Sequence, residues 1–466
     1  MVFPSIQFAS CLPIVLAASW ALMPRPKLWK PFILFASYVF YAAASIGYCL
    51  LLAGMTLANQ LGAVLVQRAI DAGDPTKGRR FVIATVAFDL GVLGVFKYYG
   101  VFVNDIGGFL DSIGLGLPLP LLTLALPIGL SFITFQAISY TVDVRRGLIE
   151  PASTMDFAIY LSFFPHLVAG PIVRAREFLP QLRTPRNPRD VAVGAGVVLI
   201  MLGLVKKVAF ADFLAREVVD PVFSVPQAYS APDAMFAAYA WAAQVYCDFS
   251  GYTDIAIGGA LLMGFVFPQN FDSPYRSTSI REYWRRWHMT LSRFLRDFIY
   301  IPLGGNRGGK LKSGRNVIVT MTLGGLWHGA AMSFVLWGAL QGTALVAERE
   351  MRGKFYLPAW FRWFLTFHFT ILTLIIFRSD GLDVAGQYYS TLVSPGPATL
   401  ITPVAVAVVI AVIGSQLLPP KPLERVRLWL ANLSPAPLAA SLALTAAVVG
   451  ATVPSQGVPP FIYFQF

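Results

Sequence analysis

Charged side chains are scarce in this sequence. Asp, Glu, Lys and Arg make up 13% of the 466 residues, whereas about 25% is usual in soluble proteins. Hydrophobic residues make up 56%, and the mean hydropathy is +0.63. A chain with so little charge is typical of a multi-spanning membrane protein and does not fit a soluble enzyme.

Cysteine and histidine are scarce too. The three cysteines, Cys11, Cys49 and Cys247, lie in or beside apolar runs and show no C-x-x-C spacing. This pattern gives neither a disulfide framework nor a thiolate metal site. The four histidines are scattered along the chain and form no cluster of ligand residues. We therefore expect no metal site.

Apolar runs recur from end to end, and crossing the hydrocarbon takes about 20 apolar residues per helix. Candidate runs lie at residues 5–23, 31–46, 47–66, 81–103, 121–142, 155–173, 192–212, 234–262, 317–347, 361–377, 401–418 and 435–453. They predict an all-α polytopic membrane protein with about ten to twelve transmembrane or re-entrant helices, plus interfacial amphipathic helices. The run at 5–23 is interpreted as the first helix, because no convincing small-residue cleavage site follows it.

The chain shows no obvious internal repeat and no low-complexity tract, so we predict one integral-membrane domain over residues 1–466. N-terminal helices occupy 1–150, a core with the candidate functional residues occupies 151–350, and C-terminal helices occupy 351–466. The formal net charge is +12, but the Lys and Arg residues gather in short loops between apolar runs. Such loops set membrane orientation and contact anionic lipid headgroups, so nucleic acid is not expected as a partner.

Apolar periodicity breaks at residues 268–316, which are polar, aromatic and basic. On a helical wheel, residues 279–298 form one amphipathic helix with Trp284, Trp287 and His288 on its apolar face. Such a helix lies in the membrane interface or caps a bundle. Two interpretations of His288 remain open: a buried histidine whose hydrogen bonds are satisfied, or a catalytic or orienting residue.

A basic, glycine-rich turn, "PLGGNRGGKLKSGR", follows this helix. Gly304 to Lys310 matches the G-x-x-x-x-G-K frame of a phosphate-binding loop, but Leu311 stands where Ser or Thr belongs and no strand precedes it. The nucleotide-hydrolase interpretation is therefore rejected. The turn can still attract the phosphates of lipid headgroups or of a nucleotide-like ligand. The basic residues that would do so are Arg307, Lys310, Lys312 and Arg315.

His328 interrupts the uncharged segment "TLGGLWHGAAMSFVLWGAL". A polar residue inside a span usually faces the bundle interior or a water-filled path. The pairs Gly325/Gly329 and Gly338/Gly342 have the four-residue spacing that lets helices approach closely. Burial there disfavours the imidazolium, so we expect a neutral ring that can act as a general base. The alternative is an interhelical hydrogen bond to a carbonyl.

A second polar group lies in "YCDFSGYTDIAIG", residues 246–258. Asp248 and Asp254 are six residues apart, so one face of an unbroken helix cannot hold both. Ser250 and Gly251 between them predict a kink or break, with the two carboxylates, Ser250 and Tyr252 lining a cavity or pairing with Arg or His. A proton or ion pathway and a structural helix cap remain alternatives.

Several of these motifs together resemble the bacterial branch of the membrane-bound O-acyltransferase family, and within it the alginate O-acetylation members. The motifs are "LPIGLSFITFQAISYTVDVRRG", "FFPHLVAGPIVR", "YCDFSGYTDIAIG", "YWRRWH", "LRDFIYIPLGGNR", "LGGLWHG" and the terminal "FIYFQF". The resemblance covers nearly the whole chain. It implies a polytopic inner-membrane enzyme with a central tunnel, lined here by residues such as Trp284, Trp287 and Trp327.

The resemblance also implies roles for individual residues. The family's catalytic histidine lies in the "WHG" motif, here His328, and its second histidine lies in the "RRWH" motif, here His288. Members of this branch pass acetyl groups from cytoplasmic acetyl-CoA across the membrane to an exported polysaccharide, usually through periplasmic hydrolase-like acetyltransferase subunits. A sister group handles D-alanine. Many relatives have a further histidine where this sequence has Gln341.

From this resemblance we predict acyl transfer with His328 as the general base, or alternatively through an acetyl-histidine intermediate. His288 would orient or stabilise, and the basic turn would face the phosphates of the donor. No bound cofactor is expected, because acetyl-CoA is a substrate. Three alternatives remain: D-alanyl transfer, a transporter with Asp248, Asp254 and His328 as a relay, and a non-catalytic scaffold.

Overall fold

The computed structural model describes residues 6–101, 103, 113–114, 126–167, 170–354, 356–453, 459 and 461. Within these ranges all the regular structure is helical. Several sequence predictions fall partly outside the described residues. They are position 5 of the run at 5–23, position 102 of the run at 81–103, the first five positions of the run at 121–142, positions 168–169 of the run at 155–173 and of "FFPHLVAGPIVR", and all but one residue of the terminal "FIYFQF".

The chain forms two compact units: Met1–Gly196 with Ala256–Pro268, and Val197–Ile255 with Gln269–Phe466. Their boundaries differ from the divisions at 150 and 350, and the single membrane domain stays a prediction. Helices of unit 1 are α1 (Ile6–Leu22), α2 (Pro26–Ala42), α3 (Ile46–Asp71), α4 (Pro75–Val101), α5 (Leu130–Arg145), α6 (Thr154–Ser162) and α7 (Ala175–Arg183), with a helical turn at Phe164–Leu167.

Two long helices, α8 (Val193–Ser224) and α9 (Ala231–Leu262), belong mainly to unit 2. The remaining helices of unit 2 are α10 (Ile280–Arg286), α11 (Met289–Leu295), α12 (Lys310–His328), α13 (Met332–Met351), α14 (Ala359–Arg378), α15 (Leu382–Thr391), α16 (Pro403–Leu417), α17 (Pro420–Ala431) and α18 (Pro435–Thr452). Proline stands at the first position of α16, α17 and α18, where its missing N–H costs no helical hydrogen bond.

Five helices of the described chain are long and apolar enough to cross a membrane: α3, α4, α8, α14 and α18. Two shorter apolar helices, α1 and α16, have 10–17 residues. The other predicted runs form helices that are broken or more polar. The run at 317–347 is the clearest case, because it is divided between α12 and α13. The all-α, multi-pass membrane architecture is confirmed.

A buried polar network connects three helices of unit 1. Asn59 on α3 donates from Nδ2 to Oδ1 of Asp89 on α4 at 2.7 Å, and Thr141 on α5 donates to Oδ1 of Asn59 at 3.3 Å. Gln60 on α3 donates to the carbonyl of Ala152 and accepts from the hydroxyl of Tyr140. Such buried hydrogen bonds specify which helices pack together.

Close packing of α8 on α9 depends on two glycines. A Cβ at Gly203 would lie 2.5 Å from the carbonyl oxygen of Gly251, and a Cβ at Gly251 would lie 2.8 Å from that of Gly203. Helix α9 runs unbroken through Ser250 and Gly251, so the predicted kink there is wrong. The small residue at 251 serves this backbone crossing instead, while the irregular stretches are π-helical segments of α8, at Val205–Ala211 and Ala215–Val219.

Helices α12 and α13 form an antiparallel hairpin. The glycine spacing predicted close contact, and a Cβ at Gly342 would lie 2.7 Å from Cα of Ile318. Cβ atoms at Gly325 and Gly338 would collide with the backbone at Phe334 and Met321. The hairpin turns at residues 329–331, so His328 ends a helix rather than lying in the middle of a continuous span.

Candidate active site

His328 is the last residue of α12, and its ring is enclosed by aromatic side chains. The side chain of His328 is buried, at 4% exposure. Its ring centroid lies 4.9 Å from that of Trp327, 5.4 Å from Trp337 and 5.1 Å from Phe377. All three contacts are edge-on, a favourable geometry between aromatic rings. The imidazole is therefore shielded from lipid by side chains of unit 2.

His288 lies in the same unit in an unusual backbone conformation, with φ 41° and ψ 55°. A non-glycine residue in this left-handed region is strained, so its surroundings must hold it there. Asn270 does so. The backbone N–H of Met289 donates to its carbonyl at 2.9 Å, and Oδ1 of Asn270 accepts from the N–H of Thr290 at 3.1 Å.

The same Asn270 oxygen fixes the proton on the His288 ring. Nδ1 of His288 lies 3.2 Å from Oδ1 of Asn270. Because that oxygen already accepts from the backbone N–H of Thr290, it is an acceptor, and Nδ1 of His288 carries the hydrogen. Burial lowers the pKa of His288 to about 3. The ring is thus neutral near pH 7, with its lone pair on Nε2.

This local geometry corrects the predicted amphipathic helix at 279–298. The segment is two short helices, α10 and α11, broken at Trp287 and His288, followed by a π-helical turn at Arg296–Tyr300. The predicted burial pattern is nevertheless right: Trp284, Trp287 and His288 are buried. The break is favoured because Asn270 captures the backbone beyond His288.

Aromatic rings connect the two histidines. Trp327 contacts both, with centroids 6.1 Å from the ring of His288 and 4.9 Å from that of His328. Phe249 on α9 packs edge-on against His288 at 4.6 Å. The ring of Phe461 lies 5.4 Å from Phe249 and 4.6 Å from Tyr252. The structure therefore brings together both motif histidines, Trp327 and the predicted lining residue Tyr252.

The remaining two predicted tryptophans are also buried here. Trp284 lies 5.7 Å from Trp337, and its Nε1 donates to Oε1 of Gln341 at 3.2 Å. Trp287 packs edge-on against Phe271 at 5.1 Å. Gln341 thus forms a hydrogen bond of the packed core.

Asp248 and Asp254 pair with successive lysines of α8, whereas the sequence predicted arginine or histidine as partners. Nζ of Lys207 lies 2.5 Å from Oδ1 of Asp248 and 2.6 Å from Oδ1 of Asp212. Nζ of Lys206 lies 2.7 Å from Oδ2 of Asp254. The two lysines lie just after Gly203, next to its crossing with Gly251, within the first π-helical segment.

These partners were missed by sequence reasoning. The signal was present, because two lysines inside the apolar run "LGLVKKVAFADF" are costly unless they are paired. Ser250, the remaining predicted lining residue, is buried at 2% exposure.

The basic turn lies at the opposite end of α12 from His328. Gly304, Gly305, Gly308 and Gly309 all have positive φ, between 56° and 107°. Asn316 fixes the turn by donating from Nδ2 to the carbonyls of Leu303 and Gly305, each at 3.1 Å. Four basic side chains in and after the turn are exposed: Arg307, Lys310, Lys312 and Arg315. With a rise of about 1.5 Å per residue, α12 separates Lys310 from His328 by about 27 Å.

The other two histidines have structural partners. Nε2 of His166 lies 2.9 Å from the carbonyl of Tyr160. Nε2 of His368 lies 2.8 Å from the hydroxyl of Tyr239, and its Nδ1 lies 2.8 Å from the carbonyl of Phe364. Neither belongs to the aromatic cluster around His328.

Comparison with known proteins decides the family. The model of the membrane-bound O-acyltransferase family matches residues 33–373, which include both motif histidines and the basic turn. The chain belongs to this family. This membrane-bound O-acyltransferase is therefore an acyltransferase and a multi-pass membrane protein, as the sequence predicted.

Curated relatives of this O-acyltransferase include several alginate O-acetylases. It is 42% identical to the "Probable alginate O-acetylase AlgI" of Pseudomonas syringae pv. tomato, over 85% of this chain and 76% of the relative. It is 34% identical to the "Peptidoglycan O-acetyltransferase" of Helicobacter pylori, over 77% and 72%. It is 28% identical to the "Teichoic acid D-alanyltransferase" of Streptococcus thermophilus, over 54% and 68%.

Proposed function

We propose that this chain transfers acetyl groups from cytoplasmic acetyl-CoA for the O-acetylation of an exported, alginate-like polysaccharide at the bacterial inner membrane. The observation that carries the proposal is the placement of a buried imidazole, His328, at one end of a helix whose other end begins at an exposed basic turn. The names of the relatives at 42% and 34% identity support acetyl as the acyl group.

In this proposal the unprotonated nitrogen of His328 accepts the proton of an acceptor hydroxyl. The hydroxyl oxygen attacks the thioester carbonyl carbon, the carbon–sulfur bond breaks, and the departing thiolate takes the proton back from the imidazolium. General-base catalysis of this kind contributes about 10²–10⁴ in rate. Holding donor and acceptor together contributes further through orientation. An acetyl-histidine intermediate is the alternative route.

His288 would act as a positioning residue. Burial keeps its ring neutral, the hydrogen bond to Asn270 fixes the ring proton on Nδ1, and Trp327 contacts both its ring and that of His328. Arg307, Lys310, Lys312 and Arg315 would attract the phosphates of the donor, in competition with lipid headgroups. A periplasmic hydrolase-like acetyltransferase would receive the acetyl group and pass it to the polysaccharide.

The test is acyl transfer by the purified protein in proteoliposomes supplied with labelled acetyl-CoA. We expect His328→Ala to lower the transfer rate at least 10²-fold. The matched control is His368→Ala, because His368 is bonded to Tyr239 and Phe364 outside the aromatic cluster. Unaltered turnover in His328→Ala, with the control also active, would remove the assignment.

The same assay separates the alternatives. Transfer from a D-alanyl carrier protein but not from acetyl-CoA would assign the chemistry of the relative at 28% identity. A scaffold predicts that His328→Ala preserves polymer acetylation in cells while deletion of the chain abolishes it. A relay predicts that the aspartates matter as much as His328. Because Asp248 and Asp254 are already bonded to lysines, we expect their neutralisation to alter stability more than transfer.

A further inference from the structure

One face of α13 carries three polar side chains at four-residue intervals: Ser333, Trp337 and Gln341. Residues four apart lie one above another on a helix, so the three form a row along its axis. All three are buried, with exposures of 1%, 5% and 1%. A buried polar row of this kind must find hydrogen-bond partners, because burying an unbonded polar group is costly.

The row divides into a bonded and an unbonded part. Gln341 is bonded at both ends of its amide, accepting from Nε1 of Trp284 at 3.2 Å and donating to Oγ1 of Thr373 at 2.8 Å. Nε1 of Trp337 and Oγ of Ser333 are buried, yet neither has a hydrogen-bond partner within the described chain. Unbonded buried groups in a native fold call for a functional explanation.

Trp337, in the unbonded part of the row, packs beside His328. The Trp337 ring meets the imidazole edge-on, with centroids 5.4 Å apart, and both rings pack on Phe377. Ser333 lies one turn nearer the start of α13, which begins at Met332 without a side-chain cap. The start of a 20-residue helix carries partial positive charge and free backbone N–H groups.

These groups share one chemical property, because each can stabilise a negative charge. The indole N–H can only donate a hydrogen bond, the hydroxyl can donate, and the helix start favours negative charge. Acyl transfer creates negative charge on the carbonyl oxygen of the transferred group, and fixed donors in a water-poor site stabilise such an oxyanion strongly. Trp337 and the candidate base, His328, are thus in contact on one hairpin, and Ser333 lies one helical turn from Trp337.

We propose that Trp337 Nε1–H, assisted by Ser333 Oγ–H, forms the oxyanion hole for the acyl group transferred at His328. This inference rests on the proposed function. As the acceptor oxygen bonds to the carbonyl carbon and its proton passes to His328, the carbonyl electrons move to oxygen, which accepts hydrogen bonds from the two donors. When the carbon–sulfur bond breaks, the carbonyl reforms and the thiolate takes the proton from the imidazolium.

The test compares Trp337→Phe with Trp241→Phe. Trp241 is fully buried, and its Nε1 donates to the carbonyl of Leu374 at 2.9 Å, so its N–H is used by the fold. Trp337→Phe removes an N–H that has no partner in the described chain. We expect Trp337→Phe to lower kcat about 10²-fold with the KM for acetyl-CoA and the thermal midpoint little changed. We expect Trp241→Phe to lower the thermal midpoint with kcat unchanged.

Ser333→Ala tests the same proposal if Trp337→Phe fails to fold. It is the milder change, because it removes only a hydroxyl without a partner in the described chain. We expect a loss of kcat in this variant too, at an unchanged thermal midpoint. Wild-type kcat in both Trp337→Phe and Ser333→Ala, alongside an inactive His328→Ala, would overturn the oxyanion hole and leave the proposed function standing. If the wild-type protein and His328→Ala transfer acetyl at the same rate, or neither transfers it, the proposed function itself is wrong.

Discussion

Two polar clusters in unit 2 differ in how their buried polar side chains are bonded. At the α8–α9 crossing, Lys207 bonds to two carboxylates and Lys206 to a third. At the α12–α13 hairpin the polar groups are uncharged or weakly basic and are surrounded by aromatic rings, and the indole N–H of Trp337 has no partner in the described chain. The first cluster uses its polar groups to hold helices together, whereas the second contains two buried donors, on Trp337 and Ser333, without a partner in the described chain.

The difference follows from what burial costs each kind of group. An ion placed in a low-dielectric interior must be paired, so charges are compatible with the fold only where they bond to one another. Uncharged donors tolerate burial at lower cost, and a site that binds developing charge benefits from keeping them unbonded. Substitutions in the first cluster should therefore change stability, and those in the second should change transfer.

The largest stability effect should come from Lys207→Met. Its removal leaves Asp212 and Asp248 buried without their cation, and breaking a buried pair in this way costs about 3–5 kcal/mol. Thermal or denaturant unfolding in detergent measures the loss. The double variant Lys207→Met with Asp248→Asn should recover part of the lost stability, because one of the two carboxylates that bonded to Lys207 is then uncharged. A single variant as stable as the wild type would show that this cluster does not hold the helices.

His288 should make the stability of the fold depend on pH. Its pKa is about 3 in the fold, against about 6.5 in the unfolded chain. Between those values the unfolded state binds the proton and the folded state does not, so stability falls as pH is lowered from 6.5 towards 3. One site contributes about 1.4 kcal/mol per pH unit between these two pKa values.

The matched variant for this measurement is His288→Asn. Asparagine accepts the left-handed backbone that His288 adopts, with φ 41°, but does not titrate. We expect unfolding midpoints of the variant to fall less steeply with acidification than those of the wild type. Parallel profiles for the two proteins would mean that His288 is not buried as a neutral ring.

The basic turn predicts a binding effect without a stability effect. Lys310→Gln with Lys312→Gln should raise the KM for acetyl-CoA about tenfold at unchanged kcat, if each charge contributes about 0.7 kcal/mol to phosphate binding. Arg425→Gln with Arg427→Gln on α17 removes the same charge from another exposed segment. Equal changes of KM in both double variants would indicate a general surface-charge effect and no donor site at the turn.

Much of this site could be predicted from the sequence because its signals are local. The burial of Trp284, Trp287 and His288 follows from their spacing, and the close hairpin follows from the glycines on α12 and α13. His328 could be singled out because one imidazole in an uncharged segment is conspicuous. These inferences need only the residue and its near neighbours along the chain.

The features that could not be predicted depend on residues far apart in the chain. The break at His288 requires Asn270, 18 residues earlier, to capture the backbone. The pairing of Asp248 requires Lys207, 41 residues earlier, to lie one helix away across the glycine crossing. A helical wheel assumes an unbroken helix and cannot foresee a side chain from elsewhere that stabilises a break.

The smallest expected effect distinguishes the two neighbouring lysines. Lys206 and Asp254 pair at 2.7 Å, but their side chains are 25% and 19% exposed, against 2% and 3% for Lys207 and Asp248. If water covers the exposed part of the Lys206 side chain, Lys206→Met should lower the free energy of unfolding by less than about 1 kcal/mol, as for other partly solvated ion pairs. A loss as large as that of Lys207→Met would contradict this and would mean that lipid, rather than water, covers the pair, because in hydrocarbon even a partly exposed charge needs its partner. Unfolding of the two single variants side by side therefore measures which solvent lies against this face of α8.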